Sequence, residues 1–354
     1  AWGFWALKAD GKWYVIVNGK EWGPYKIADS PGFSSDGSAW GFRAKKAYDK
    51  QYVIVNGKEW GPYWDASPPR FSSDGSAWGF WAEKTNGKQY VIVNGKEWGP
   101  YKGASWPDFS SDGSAWGFAA RKADVKKGCL GLLLRRWAYD KDYVIVNGKE
   151  WGPYWDASSP NFSSDGSAWG FEAGKALGKD YVIVNGKEWG PYLDVYPPHF
   201  SSDGSAWGFK AKKADGKEYV IVNGKEWGPY EYVSLDSPNF SSDGSAWGFE
   251  AKKADGKRYV IVNGKEWGPY ESAPGPFRSA DSPDFSSDGS AWGFRAEKAD
   301  GKRYVIVNGK EWGPYESASW PYFSSDGSVL FYAATMTKPS YYRIDRVKVQ
   351  VSAK

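Results

Sequence analysis

Apolar and polar positions along the chain alternate in short bursts cut by turn residues. Ala39-Trp40-Gly41-Phe42-Arg43-Ala44-Lys45 sets large apolar side chains on every second position. Tyr52-Val53-Ile54-Val55 is a continuous β-branched run, and Glu59-Trp60-Gly61-Pro62-Tyr63 alternates again. A period of two predicts strands, and the Asp-Gly and Asn-Gly pairs between them predict hairpin turns. The stretch Tyr52–Tyr63 recurs eight times, with its Asn at Asn18, Asn56, Asn94, Asn147, Asn185, Asn223, Asn263 and Asn308, so successive copies are 38, 38, 53, 38, 38, 40 and 45 residues apart. A second unit, F-S-S-D-G-S, also occurs eight times, beginning at Phe33 and ending with the copy at Phe323.

Each repeat reads as four strands. Strand A is the short piece ending in Phe-Ser-Ser, B carries A-W-G-F, C is Y-V-I-V and D is E-W-G-P-Y. Asp-Gly and Asn-Gly are expected to form two-residue type I′ turns, with positive φ at both residues. In strand B, Trp40, Phe42 and Ala44 face one way and Ala39, Gly41 and Arg43 the other. Pro62 cannot donate a ladder hydrogen bond, which places D at the outer edge. Four-stranded units at a period near 40 predict an all-β, eight-bladed β-propeller spanning residues 1–354 as a single domain.

The unit P-x-F-S-x-D-G-S-x-x-x-F-x-A, followed by Y-V-I-V and a Gly turn, resembles the TolB-type β-propeller repeat. That family carries Pro where this chain has Ser35 or Ser73. The resemblance covers nearly the whole chain. It implies four-stranded blades with A innermost, and it implies no ligand, because such propellers serve many roles.

The copies differ mainly in the D–A and B–C connections, which a propeller places on one face. Either these loops have simply drifted, which is the plainer reading, or that face is the binding face, since loops on a rigid scaffold are where binding usually lives. Sixteen of the 24 Trp belong to the A-W-G-F and E-W-G-P-Y copies. Among the rest, Trp64, Trp106, Trp155 and Trp320 lie in the variable connections and are candidate platforms for a glycan. Residues 123–137 lengthen one B–C connection by 15, the difference between 53 and 38. Within them, Cys129-Leu130-Gly131-Leu132-Leu133 reads as A-W-G-F in a shifted frame. That points to an amplified gene, and it leaves either an apolar protrusion or a tolerated insertion.

The ends are complementary. Ala1, Trp2 and Phe4 begin at strand B with no A before them, and Phe323 belongs to an A strand whose A-W-G-F is missing. Joining 323–327 to residues 1–26 would close the ring. The tail competes for that place: Leu330 and Tyr332 fit a degenerate strand B, and 341–345 and 346–351 alternate like C and D. The surplus set is expected to lie outside the ring or to pair with another chain, which raises self-assembly by strand exchange.

Charge and chemistry narrow the function further. Lys plus Arg number 46 and Asp plus Glu 42, a net charge of +4, with no basic run to bind nucleic acid. No apolar run of 18 residues exists to span a membrane. One Cys allows no intramolecular disulfide. The start at Ala1, without Met or signal peptide, means either a removed leader or a fragment, and the expectation taken from it is an exported protein, extracellular or periplasmic. His199 is the only His and is expected in a solvated loop. No metal spacing, dinucleotide fingerprint or phosphate loop is present, so no cofactor is expected. The Asp of each Asp-Gly, such as Asp36 and Asp74, reads as turn chemistry. Asp65, Asp156 and Asp194 recur at equivalent positions, which favours structure over an active site. The sequons at Asn161 and Asn239 arise wherever Asn precedes the repeated Phe-Ser. The expectation is a non-enzymatic scaffold that binds itself, another protein or a glycan.

Overall fold

The computed structural model describes residues 1–46, 49–123, 140–235, 237–271, 282–324, 328–338 and 341–350, with backbone alone at 336–338, 341, 342 and 350. Cys129 and the 124–137 part of the insertion fall outside these residues. The described residues form strands and turns in an all-β fold of β-propeller type, built of antiparallel sheets that follow the repeat. Two compact units divide the chain, Ala1–Trp189 and Gly190–Lys354, with the boundary inside the strand Lys187–Tyr192.

The third sheet shows the pattern. Trp78–Glu83 is strand B, Gln89–Val93 is C and Lys96–Tyr101 is D, at the sheet edge as the proline requires. Strand A is not one piece. Asp65–Ala66 and Arg70–Phe71 both pair with strand B, Ala66 opposite Ala82 and Phe71 opposite Trp78. Between them Pro68 and Pro69 offer no N–H, so the ladder breaks there. Part of what the sequence presents as a D–A loop is therefore strand, and His199 likewise sits half-buried in the strand His199–Phe200 rather than in an open loop.

The turns divide into two kinds. Asn56 and Gly57 both have positive φ, 48° and 83°, and Val55 pairs with Lys58, the expected type I′ hairpin. The Asp-Gly turns differ. Gly75 alone is left-handed, its N–H donating to Ser72 O at 3.1 Å while Ser72 N–H donates to Ala77 O at 2.9 Å. Asn86-Gly87 also has only its Gly left-handed, in a loop one residue shorter, with Lys84 N–H on Lys88 O and Gly87 N–H on Lys84 O. Asp and Asn there remain right-handed, because the wider loop needs only one left-handed residue.

Sheets stack face to face through the alternation in strand B. Phe42 and Ala44 bury themselves against Val15, Val17 and Tyr25 of the preceding sheet, Tyr25 meeting Phe42 edge-on at 5.8 Å. The same cluster recurs around Phe80 and Phe118 in the first unit and around Phe249 and Phe294 in the second. Burying each Phe contributes about 1.5–3 kcal/mol. The opposite face of B approaches the next sheet through glycine. A Cβ on Gly79 would lie 2.9 Å from Pro107 Cγ and 3.2 Å from the Phe109 ring.

The ends depart from expectation. The first sheet, Gly3–Leu7, Trp13–Val17 and Lys20–Tyr25, has three strands. The tail supplies two long strands, Ser328–Lys338 and Tyr341–Gln350, and not a B–C–D set. Ser328–Lys338 takes the strand-B place beside Tyr322–Phe323, with Phe323 opposite Val329 as Phe71 is opposite Trp78. The last A strand is thus completed by the tail and not by residues 1–26. Phe331 lands where the repeat has its buried Phe and is fully buried.

Candidate functional site

The repeated turns are held by their aspartates. Asp74 Oδ1 accepts from Ser72 Oγ at 2.6 Å, Ser76 N at 3.0 Å and Ser76 Oγ at 2.9 Å, and Asp74 N–H reaches Ser111 O of the next sheet. Those hydroxyl and amide donors, Ser72 first, hold the carboxyl below its usual range. Asp36 is built alike, so these aspartates hold their turns and join one sheet to the next. Among the described residues no cluster of His, Cys, Asp or Glu could hold a metal ion.

The opposite end of each sheet carries the variation. Trp64 and Trp155 are about three-fifths exposed, Trp106 and Trp320 less so. They belong to different sheets, and each ring carries a cation: Lys50 over Trp64 at 4.9 Å, Arg70 over Trp106 at 4.4 Å, Lys141 over Trp155 at 5.0 Å and Arg295 over Trp320 at 5.3 Å. Such contacts contribute ~0.5–1 kcal/mol when exposed. Of the residues assigned to the ends, Trp2, Phe4 and Tyr332 are half exposed, Ala1 is exposed, and Leu330 and Phe323 are partly buried.

The most informative position is the fifth of strand B, one residue past the repeated Phe. It holds Trp5, Arg43, Trp81, Ala119, Glu172, Lys210, Glu250 and Arg295 in the eight copies, and Tyr332 in the tail. Arg43 donates through Nε to Asp29 at 2.9 Å and through an Nη to Ala66 O of the next sheet at 3.0 Å, with Asp65 at 3.9 Å. Lys210, fully buried, donates to Val233 O at 3.1 Å and pairs with Glu218 at 3.3 Å. Arg295 donates to Ala318 O at 3.0 Å. Trp81 fills the same place and donates to Gln89 Oε1 at 3.0 Å.

Ala119 fills nothing. With Gly103 beside it, it leaves a cavity of about 430 Å³ between the fourth and fifth sheets. Arg121 grips the buried Asp142 carboxylate by two hydrogen bonds of 2.7 and 3.1 Å, which raises the guanidinium above its ordinary value. Lys102 pairs with Asp140 at 2.5 Å. Those pairs engage both cations and leave Asp156 with no ion pair among the described residues. Sequence reasoning missed this cavity. Its signal was present: Ala119 is the one small residue among the nine occupants of that position.

A second concavity of about 360 Å³ lies along the inner strands, between Phe33, Phe71 and Phe109. There Arg70 pairs with Asp108 at 2.7 Å, so its charges already satisfy each other. Burial pushes the Asp108 carboxyl up, and Arg70 opposes that.

No known family and no curated protein matches the chain. Solved structures do match. A eukaryotic initiation factor aligns over 99% of this chain and 96% of its own, with 12% identity and a TM-score of 0.40. The β-propeller domain of the Trilobed protease from Pyrococcus furiosus aligns over 81% and 96%, with 14% identity and a TM-score of 0.34. TolB from Acinetobacter baumannii aligns over 68% of this chain and 62% of its own, with 15% identity and a TM-score of 0.29. The repeated four-stranded sheets and their face-to-face packing put this chain in the class of β-propeller repeat proteins. No helix among the described residues is long and apolar enough to cross a membrane.

Proposed function

We propose that the chain is an exported, non-enzymatic binding scaffold built of TolB-type repeats, one end of each sheet serving structure and the other serving recognition. One observation carries this reading. The A–B and C–D turns repeat almost unchanged, while the fifth position of strand B and the D–A connections change from copy to copy, and at Ala119 that change opens a charged cavity. The single His in an inner strand, and the recurrence of Asp65, Asp156 and Asp194 at equivalent places of three sheets, support a non-catalytic role.

The test is a ligand screen by saturation-transfer NMR, with small polar molecules and glycans as probes. Hits are repeated on Ala119→Trp and on a chain with Trp64, Trp106, Trp155 and Trp320 changed to Ala. Loss in either variant assigns recognition to the variable side, and loss only in the second supports a glycan platform. Binding that survives both and falls with Ser114→Ala on the repeated turns overturns the reading.

Assembly is the second reading. Phe4 is half exposed where its equivalent Phe42 is fully buried, and Tyr332 and Ile344 are exposed on the last sheet. Light scattering on Phe4→Ser and Tyr332→Ser checks it: oligomers that persist in both variants exclude these faces.

A further inference from the structure

We propose that the cavity beside Ala119 is a site for a ligand bearing a guanidinium or primary ammonium group. The inference rests on the reading of the variable side as the recognition side, and it assigns that side a ligand chemistry.

The chain itself shows what fits such a place. Between the second and third sheets, the Arg43 guanidinium reaches Ala66 O at 3.0 Å and stands 3.9 Å from Asp65. Between the sixth and seventh, the Lys210 ammonium reaches Val233 O. Between the eighth and ninth, Arg295 reaches Ala318 O. In all three a cation from the fifth position of strand B ends on the same backbone carbonyl of the next sheet.

The interface between the fourth and fifth sheets repeats the receiving half without the cation. Trp155-Asp156-Ala157-Ser158 is identical to Trp64-Asp65-Ala66-Ser67. The turn geometry also matches, since Trp155 N–H donates to Gly174 O at 2.8 Å as Trp64 N–H donates to Glu83 O at 2.8 Å. Ala119 ends at Cβ and has no donor for Ala157 O. Asp156 lacks the guanidinium that Arg43 brings to Asp65; Arg121 feels its charge but is hydrogen-bonded to Asp142, as Lys102 is to Asp140. With two cations and three carboxylates lining it, the cavity carries a net charge of −1. A positive group entering it meets a carboxylate and a carbonyl, both of which favour a cation. At about 430 Å³ it has room for the group and several carbons behind it.

The experiment is calorimetric titration at low ionic strength with N-methylguanidinium, with spermidine and a Gly-Arg-Gly peptide as further probes. Wild type should take one equivalent of N-methylguanidinium. Ala119→Arg should abolish binding, because its guanidinium would take the carbonyl of Ala157 as Arg43 takes that of Ala66, although Ser105 stands where Arg43 has Asp29; the thermal midpoint is read alongside to check the fold. Asp156→Asn should weaken binding by about tenfold. Arg43→Ala should add a second equivalent. Preference for spermidine or for the peptide separates a free amine from a protein side chain. No binding by wild type, or unchanged binding by Ala119→Arg, overturns the inference. A methyl glucoside that binds wild type and not Ala119→Arg also overturns it, yet leaves the variable-side reading intact. Binding that maps to the repeated turns would overturn both.

Discussion

Asp112 shows how much one repeated residue carries. One carboxylate oxygen accepts from Ser110 Oγ at 2.7 Å, Ser114 N at 3.0 Å and Ser114 Oγ at 2.8 Å, and the Asp112 N–H reaches Ser164 O of the next sheet at 3.2 Å. The Ser110 hydrogen bond, ahead of burial acting the other way, holds the carboxyl below its ordinary 3.8. A carboxyl depressed on folding stabilises above its unfolded value, and that contribution is lost as pH falls through the folded one. Asp112→Asn should therefore lower the thermal midpoint at neutral pH, and its deficit against wild type should shrink below pH 3.8. A deficit that ignores pH would mean the charge plays no part. The turn role of these aspartates was legible in sequence, because Ser-x-Asp-Gly-Ser brings donors to a carboxylate locally. The turn geometry was not, since Asp-Gly is compatible with one or two left-handed residues and the loop length decides. Ala119 was visible as a letter only. Its meaning needed the carbonyl of the following sheet, which no local pattern supplies.

At the scale of the element, strand B has two faces with different tolerances. Its Phe face is held by packing, and its Gly face by lack of space. A Cβ on Gly117 would lie 2.5 Å from Ile145 O of its own sheet, 2.6 Å from Pro160 Cγ and 3.3 Å from the Phe162 ring of the next. In the tail, the residue paired opposite Tyr322 is Leu330, where Arg70 of the third sheet faces Gly79. The last sheet therefore carries leucine where the others carry the glycine of close approach. Gly117→Leu should cost about 1–3 kcal/mol or more in chemical denaturation through overpacking. Leu330→Gly removes a partly buried side chain and adds backbone entropy but no clash, so it should cost less than Gly117→Leu. Equal losses would show that the glycine is not there for close approach. The B, C and D strands were legible because period-two patterning and the Asn-Gly turn agree. The broken A strand was not, because two-residue strands carry no periodicity. Apolar alternation in the tail does not mark where a long hairpin turns, so three short strands fit that pattern as well as two long ones do.

At the scale of the molecule, repetition makes one residue type act as many. Tyr25, Tyr63, Tyr101 and Tyr154 in the first unit, and Tyr192 and Tyr230 in the second, each close strand D against the Phe of the following strand B. Burial pushes all six phenols up to about 12, with a nearby Glu adding to it. The folded state therefore prefers the neutral phenol more than the unfolded chain does. Their contribution is complete below the unfolded value of 10.0 and is lost as pH rises towards 12. Stacked repeats gain stability from their neighbours, so losing one interface weakens the next. We expect phenolate absorbance and loss of far-ultraviolet circular dichroism to rise together between those two values, as one alkaline transition. Tyr101→Phe removes one titrating group while keeping the ring that meets Phe118 at 5.8 Å, and it should move the transition to higher pH. If these phenols ionised while the sheets stayed intact, they would be reached by solvent in the folded protein, and the packing of strand D on the next Phe would not be what joins the sheets.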